Sequence, residues 1–124
     1  MEDLNTLINK FIDATVIHRT ESEGGNYKLA NKNFDIAVKC ICKIKEFDGW
    51  ADVFETLLNH ENASIRVSAA YNLLPYKTEL AIKTLKKCTR VAKGEGFNAK
   101  TILQEWKTGE LKFPEFVNGK VVYK

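Results

Sequence analysis

Two groups of ionisable side chains stand close enough along this chain to act together. The first is acidic, Glu46, Asp48, Asp52 and Glu55, with Trp50 in its midst. Carboxylates around an indole suit contact with a basic protein surface, the ring as anchor and the charges as steering groups. Asp52 and Glu55 have a second use, since carboxylates in the first turns of a helix meet the positive end of its dipole. The other group is basic, Lys83, Lys86, Lys87 and Arg90, at i, i+3, i+4 and i+7. That spacing puts four cations on one helical face, which can track phosphates or simply face water. No aromatic residue is interleaved with them as a stacking platform, and this favours the solvated face.

Catalytic chemistry needs titratable groups that converge, and the sequence offers no such set. His18 and His60 have no second ligand at metal-binding spacing, so a surface or capping role is expected of each. Cys40, Cys42 and Cys88 are odd in number, which excludes a complete set of internal disulfides. On a helix, residues two apart such as Cys40 and Cys42 point about 200° from one another, a poor geometry for a bridge or a shared metal. The chain has no nucleophile-elbow or P-loop pattern. Gly94-Glu95-Gly96 is too short to cradle a phosphate, and Lys93 beside it reads as a cation at a helix C-terminus. Neither an enzyme nor a cofactor is expected.

The elements that must position these groups are helical. A chain of 124 residues with 44% hydrophobic and 28% charged residues suits one soluble domain. The amphipathic, acidic start MEDLNTLINK has no apolar signal core, and no run approaches the roughly 20 residues of a membrane span, so a cytoplasmic protein is expected. Charge is divided along the chain. Residues 1–62 hold 7 Lys+Arg against 11 Asp+Glu, a balance of −4, and residues 63–124 hold 12 against 5, a balance of +7.

Leu4, Leu7, Ile8, Phe11, Ile12 and Thr15 trace a first helix over about Asp3–Arg19, broken by ESEGGN. A second, about Tyr27–Phe47, is expected to bury Ala30, Phe34, Ala37, Ile41 and Ile44 before Asp48-Gly49 closes it. A third spans about Trp50–Asn59, with Val53, Phe54, Leu57 and Leu58 inward. Asn62 or Ser64 can cap a fourth, whose inner face is Ile65, Ala69, Ala70, Leu73 and Leu74 and which Pro75 stops. Ala69-Ala70 keeps that face thin enough for close approach, and Arg66 on its flank is placed to bond polar groups of the preceding turn. Thr78 is the expected cap of a fifth helix, packing Ala81, Leu85 and Cys88 and ending at Lys93–Gly96. A sixth, about Asn98–Thr108, turns Ala99, Ile102, Leu103 and Trp106 to one side and stops at Gly109. In the tail from Leu111, Asn118-Gly119 between short apolar runs predicts a two-residue β-hairpin, with Pro114 confining its strand to an edge. The alternative there is an unstructured end.

Taken in order, these features carry a resemblance. Asn59-His60, Ile65-Arg66, Ala69-Ala70-Tyr71, Leu73-Leu74-Pro75, Ala81 and Leu85 are followed by Gly94–Gly96, Phe97-Asn98-Ala99, Leu103, Trp106 and Gly109. Upstream stand Tyr27, Asn31 and Phe34-Asp35. The pattern resembles a bacterial family of HEAT-like proteins of unknown function, the DUF twenty-nineteen family, over roughly residues 25–110. The resemblance implies an all-α stack of about six helices, a HEAT-like domain over 1–110 with the tail 111–124 outside it, and no established activity. It also implies an immunity role, since similar small bacterial proteins are proposed to neutralise secreted or contact-delivered toxins.

The resulting expectation is a cytoplasmic immunity protein that binds and occludes a cognate toxin. Were the toxin a nuclease, its basic groove would meet Glu46, Asp48, Asp52 and Glu55, with Trp50 as anchor. The alternatives are a nucleic-acid-binding or DNA-repair protein that uses Lys83, Lys86, Lys87 and Arg90, and a general protein scaffold.

Overall fold

The computed structural model of the protein describes residues 2–91 and 94–124, so the expected role of Lys93 lies outside the described residues. The chain is all-α with a small C-terminal sheet, as its HEAT-like helical pattern predicts: six helices are followed by two antiparallel strands among the described residues. They fall into two compact units, Met1–Trp50 with Phe113–Lys124, and Ala51–Lys112.

The first unit is built on a helical hairpin. Asp3 caps helix α1 (Leu4–Gly24) by accepting the Thr6 amide at 2.8 Å, and Leu7, Ile8, Phe11 and Ala14 form its buried stripe. The helix outruns its predicted end at Arg19, because Glu21 and Ser22 carry helical bonding on until Gly25 turns left-handed at φ 85°. The Asn26 amide then closes the end on the Glu21 carbonyl at 3.0 Å. Asn26 at once caps helix α2 (Tyr27–Ile44), so a two-residue link returns the chain alongside α1. In α2 the buried stripe includes Ala30, Asn33, Ala37, Ile41 and Ile44. Phe34, expected inside, is 44% exposed. The stripe passes one position before it, through Asn33, whose amide is satisfied by the Leu29 carbonyl at 3.0 Å. Phe34 instead lies at the edge, tilted against the His18 ring at a centroid distance of 5.3 Å.

Strands β1 (Pro114–Val117) and β2 (Lys120–Tyr123) form the predicted hairpin and pack against α2. Asn118 and Gly119 take φ 53° and 78°, the paired positive angles of a type I′ turn. Mutual backbone bonds between Phe113 and Lys124, at 2.9 and 3.0 Å, extend the ladder past Pro114.

The second unit holds most of α3 (Trp50–Leu57), then α4 (Ala63–Leu73), α5 (Thr78–Cys88) and α6 (Gly94–Thr108). Its core is centred on α4, where Ile65, Ala69, Ala70 and Leu73 are fully buried and which packs on both α5 and α6. Asn62 caps α4 by accepting the Ser64 amide at 2.9 Å. Two local expectations fail here. Thr78 does not cap α5: it is the first helical residue, and its hydroxyl donates back to the Leu74 carbonyl at 2.7 Å. Gly94-Glu95-Gly96 is not a break between helices but the first turn of α6, and α5 has already ended at Cys88. Gly96 is needed for its smallness, since a Cβ there would run into the Val91 carbonyl and come within 3.0 Å of the Thr89 oxygen.

Candidate binding site

Polar side chains of the second unit line a cleft of about 660 Å³. One wall comes from α3 and the segment after it, with Asp52, Glu55, Thr56, Asn59, His60 and Glu61. The other is α5, with Leu80, Lys83, Thr84, Lys87 and Cys88, and Arg66 joins from the first turn of α4. Half of each group read from the sequence therefore meets in one place.

The local bonding fixes much of this lining. Arg66 Nη1 donates to the carbonyls of His60 and Glu61, at 2.8 and 2.9 Å, as its position one turn into α4 suggested. His60 Nδ1 accepts the Asn62 amide at 3.0 Å, so the neutral ring carries its hydrogen on Nε2. The Thr84 hydroxyl is returned to the Leu80 carbonyl at 2.9 Å, leaving the oxygen lone pairs. Lys77 Nζ sits between two carboxylates, 2.9 Å from Glu55 and 3.1 Å from Asp52. Its bond to Glu55, then that to Asp52, holds the ammonium above the usual lysine pKa. Asp52 and Glu55 thus already share a cation of their own chain, besides standing early in α3.

The rest of the acidic group belongs to the first unit. Glu46 and Asp48 are exposed, after the end of α2. Trp50 is half-buried, and the Lys45 ammonium lies 5.5 Å from its ring centroid and 5.7 Å from that of Phe113. Burial lowers the Lys45 pKa. An indole covered in this way is a less available anchor than the sequence suggested.

Of the basic group, Lys83, Lys86 and Lys87 are exposed on α5, where the sequence placed them. The helix ends at Cys88, so Arg90 is exposed in the turn after it rather than on the predicted helical face. None of the four has an ion-pair partner among the described residues. All four border a second groove of about 540 Å³, with Glu79 and Ile82, and only Lys83 and Lys87 of them also line the cleft. Sequence reasoning missed Lys77 and Lys45. Lys77 lies more than twenty residues from the carboxylates it bridges, so no local spacing reveals it. Lys45 next to Ile44 and five residues before Trp50 was a weak signal for a cation against an aromatic face.

Among the described residues no three His, Cys, Asp or Glu side chains converge to hold a metal ion. Cys40, Cys42 and Cys88 are buried free thiols, and burial raises the pKa of the first two. No described helix is long and apolar enough to cross a membrane. The chain matches no protein-family model and no curated protein. In fold it is similar to the crystal structure of the protein RPA1889 from Rhodopseudomonas palustris CGA009, with a TM-score of 0.82 and 19% sequence identity over 90% of this chain and 94% of that one.

Proposed function

We propose that this protein is a non-catalytic binding protein that neutralises its partner by occlusion, an immunity protein directed at a bacterial toxin domain. The carrying observation is a cluster of four exposed cations, three on α5 and Arg90 in the turn after it, with no ion pair among the described residues. Unneutralised charge on a rigid element speeds encounter with an oppositely charged surface and is available for pairs at the interface. The resemblance carried by Asn59-His60, Ile65-Arg66 and Ala69-Ala70-Tyr71 supports the immunity setting and a cytoplasmic site of action. The acidic contact set is less favoured, because Asp52 and Glu55 are engaged by Lys77. Glu46 and Asp48 remain as its candidate contacts.

Co-expression with the toxin domain encoded beside the gene tests the reading. Rescue of growth and co-purification of the pair are expected. Failure to protect against any neighbouring toxin ends it.

The same four cations support a second reading, nucleic-acid binding. Four phosphates neutralised on duplex DNA would give a log–log salt slope of roughly −3.6. No binding to duplex or single strand at low salt removes that reading.

A further inference from the structure

We propose that the cleft lined by α3 and α5 docks an acidic segment of the protein partner, with Lys83, Lys87 and Arg66 receiving its carboxylates. The proposal rests on the binding-protein reading above and gives that reading a surface and a partner chemistry.

Three cationic side chains of the cleft, Lys83, Lys87 and Arg66, have no carboxylate partner among the described residues. Lys83 and Lys87 enter it without an ion pair among the described residues. Arg66 is anchored through Nη1 alone, so its Nη2 and Nε groups take no partner there and need no reorganisation to meet a carboxylate. Its anchoring fixes the guanidinium before a ligand arrives, which reduces the ordering cost of binding.

The facing wall would otherwise repel such a ligand. Asp52 and Glu55 line the cleft, but both are held by Lys77, at 3.1 and 2.9 Å. Lys77 is a positioning residue: it does not line the cleft, yet its one positive charge offsets one of the two negative charges that Asp52 and Glu55 place on the opposite wall. Glu61 also lines the cleft, exposed and without an ion pair among the described residues. Separate carboxylates on a peptide can avoid it, whereas a continuous phosphate backbone would not. Leu80, 38% exposed, offers apolar contact to the peptide stem. The cleft also selects among the four cations. Lys86 and Arg90 border only the second groove, so a segment seated in the cleft leaves them out.

Fluorescence anisotropy with a fluorescein-labelled peptide of alternating Glu and Gly, and with oligothymidylate of equal length, tests this at low salt. The peptide should bind, and Lys83→Glu with Lys87→Glu should weaken it about tenfold or more. Lys100→Glu with Lys107→Glu, exposed on α6 and outside both grooves, should change it little. Lys77→Ala should also weaken it, and adding Asp52→Asn with Glu55→Gln should restore it, a rescue that a merely structural Lys77 would not give. Lys83→Gln with Lys87→Gln replaces the reversal pair if that variant loses helical circular dichroism. No peptide binding, equal weakening by the two reversal pairs, or tighter binding of the oligonucleotide overturns the proposal. Toxin protection undiminished by the Lys83 and Lys87 changes would retire the cleft but keep immunity. Peptide binding in the cleft without protection against any toxin would do the reverse.

Discussion

Arg66 holds the backbone of His60 from one turn inside the next helix, its Nη1 donating to the His60 carbonyl at 2.8 Å. The same group bonds the Glu61 carbonyl at 2.9 Å, so one side chain satisfies two acceptors of the segment between α3 and α4. His60 in turn takes the Asn62 amide, which ties that segment to the cap of α4. The two residues therefore define the shape of one cleft wall. Arg66→Met keeps the aliphatic stem but leaves two carbonyls without their donor. A loss of about 1–3 kcal/mol is expected from the urea midpoint. A midpoint equal to that of the unaltered protein would mean that the turn is held by other contacts.

Ala69 and Ala70 are fully buried on the face of α4 that meets its neighbours. A larger side chain has no space to enter without moving a helix. Ala69→Leu should destabilise the protein by roughly 1–3 kcal/mol in chemical denaturation. An unchanged midpoint would contradict the tight packing of this helix.

At Gly96 the constraint is backbone rather than side chain. The Cβ of an alanine would press on the carbonyls of Val91 and Thr89, which belong to the turn after α5 and cannot rotate away as a flexible side chain could. Gly96→Ala normally favours a helix through its propensity, by up to about 1 kcal/mol. Here overpacking should win and leave a net loss of roughly 1–3 kcal/mol. A stabilised variant would place the start of α6 farther from that turn.

These positions also mark how far the sequence could be read. Several local causes of structure were legible in the sequence, although Thr78, expected as a cap, is the first residue of α5. Asn118-Gly119 supplied the positive φ angles of the hairpin, Pro75 followed the end of α4, and Asn62 capped it. Gly96 deceived because a glycine read as a breaker can equally be a spacer, and the carbonyls it accommodates belong to another segment. Phe34 deceived because a stripe one residue over, through Asn33, satisfies the same periodicity. In the candidate site the charges were legible and their pairing was not. Lys77 reaches Asp52 and Glu55 across a separation that only folding closes, and this engages half of the acidic set within the chain and offsets one of its two charges.

Lys45 provides a test in which the sign depends on pH. Two influences oppose one another at its ammonium. The Trp50 and Phe113 rings, at 5.5 and 5.7 Å, favour the charge through their π faces, while burial disfavours it. The lowered pKa means that burial outweighs the charged groups nearby, and a cation–π contact of about 0.5–1 kcal/mol offsets part of that cost. Lys45→Met keeps an unbranched apolar stem between the rings and removes the charge. At neutral pH its stability should lie within about 1 kcal/mol of the unaltered protein, on the stabilised side. Raising the pH changes the difference between the proteins in a defined direction. A folded-state pKa below the ordinary 10.5 makes folded Lys45 release its proton before the unfolded chain does. Over that window the unfolded state binds more protons, so Lys45 contributes rising stability as pH rises. The advantage of Lys45→Met should therefore shrink toward pH 10.5, measured as the difference between paired urea midpoints. An advantage that grew instead would show that the two rings hold the ammonium more strongly than burial disfavours it.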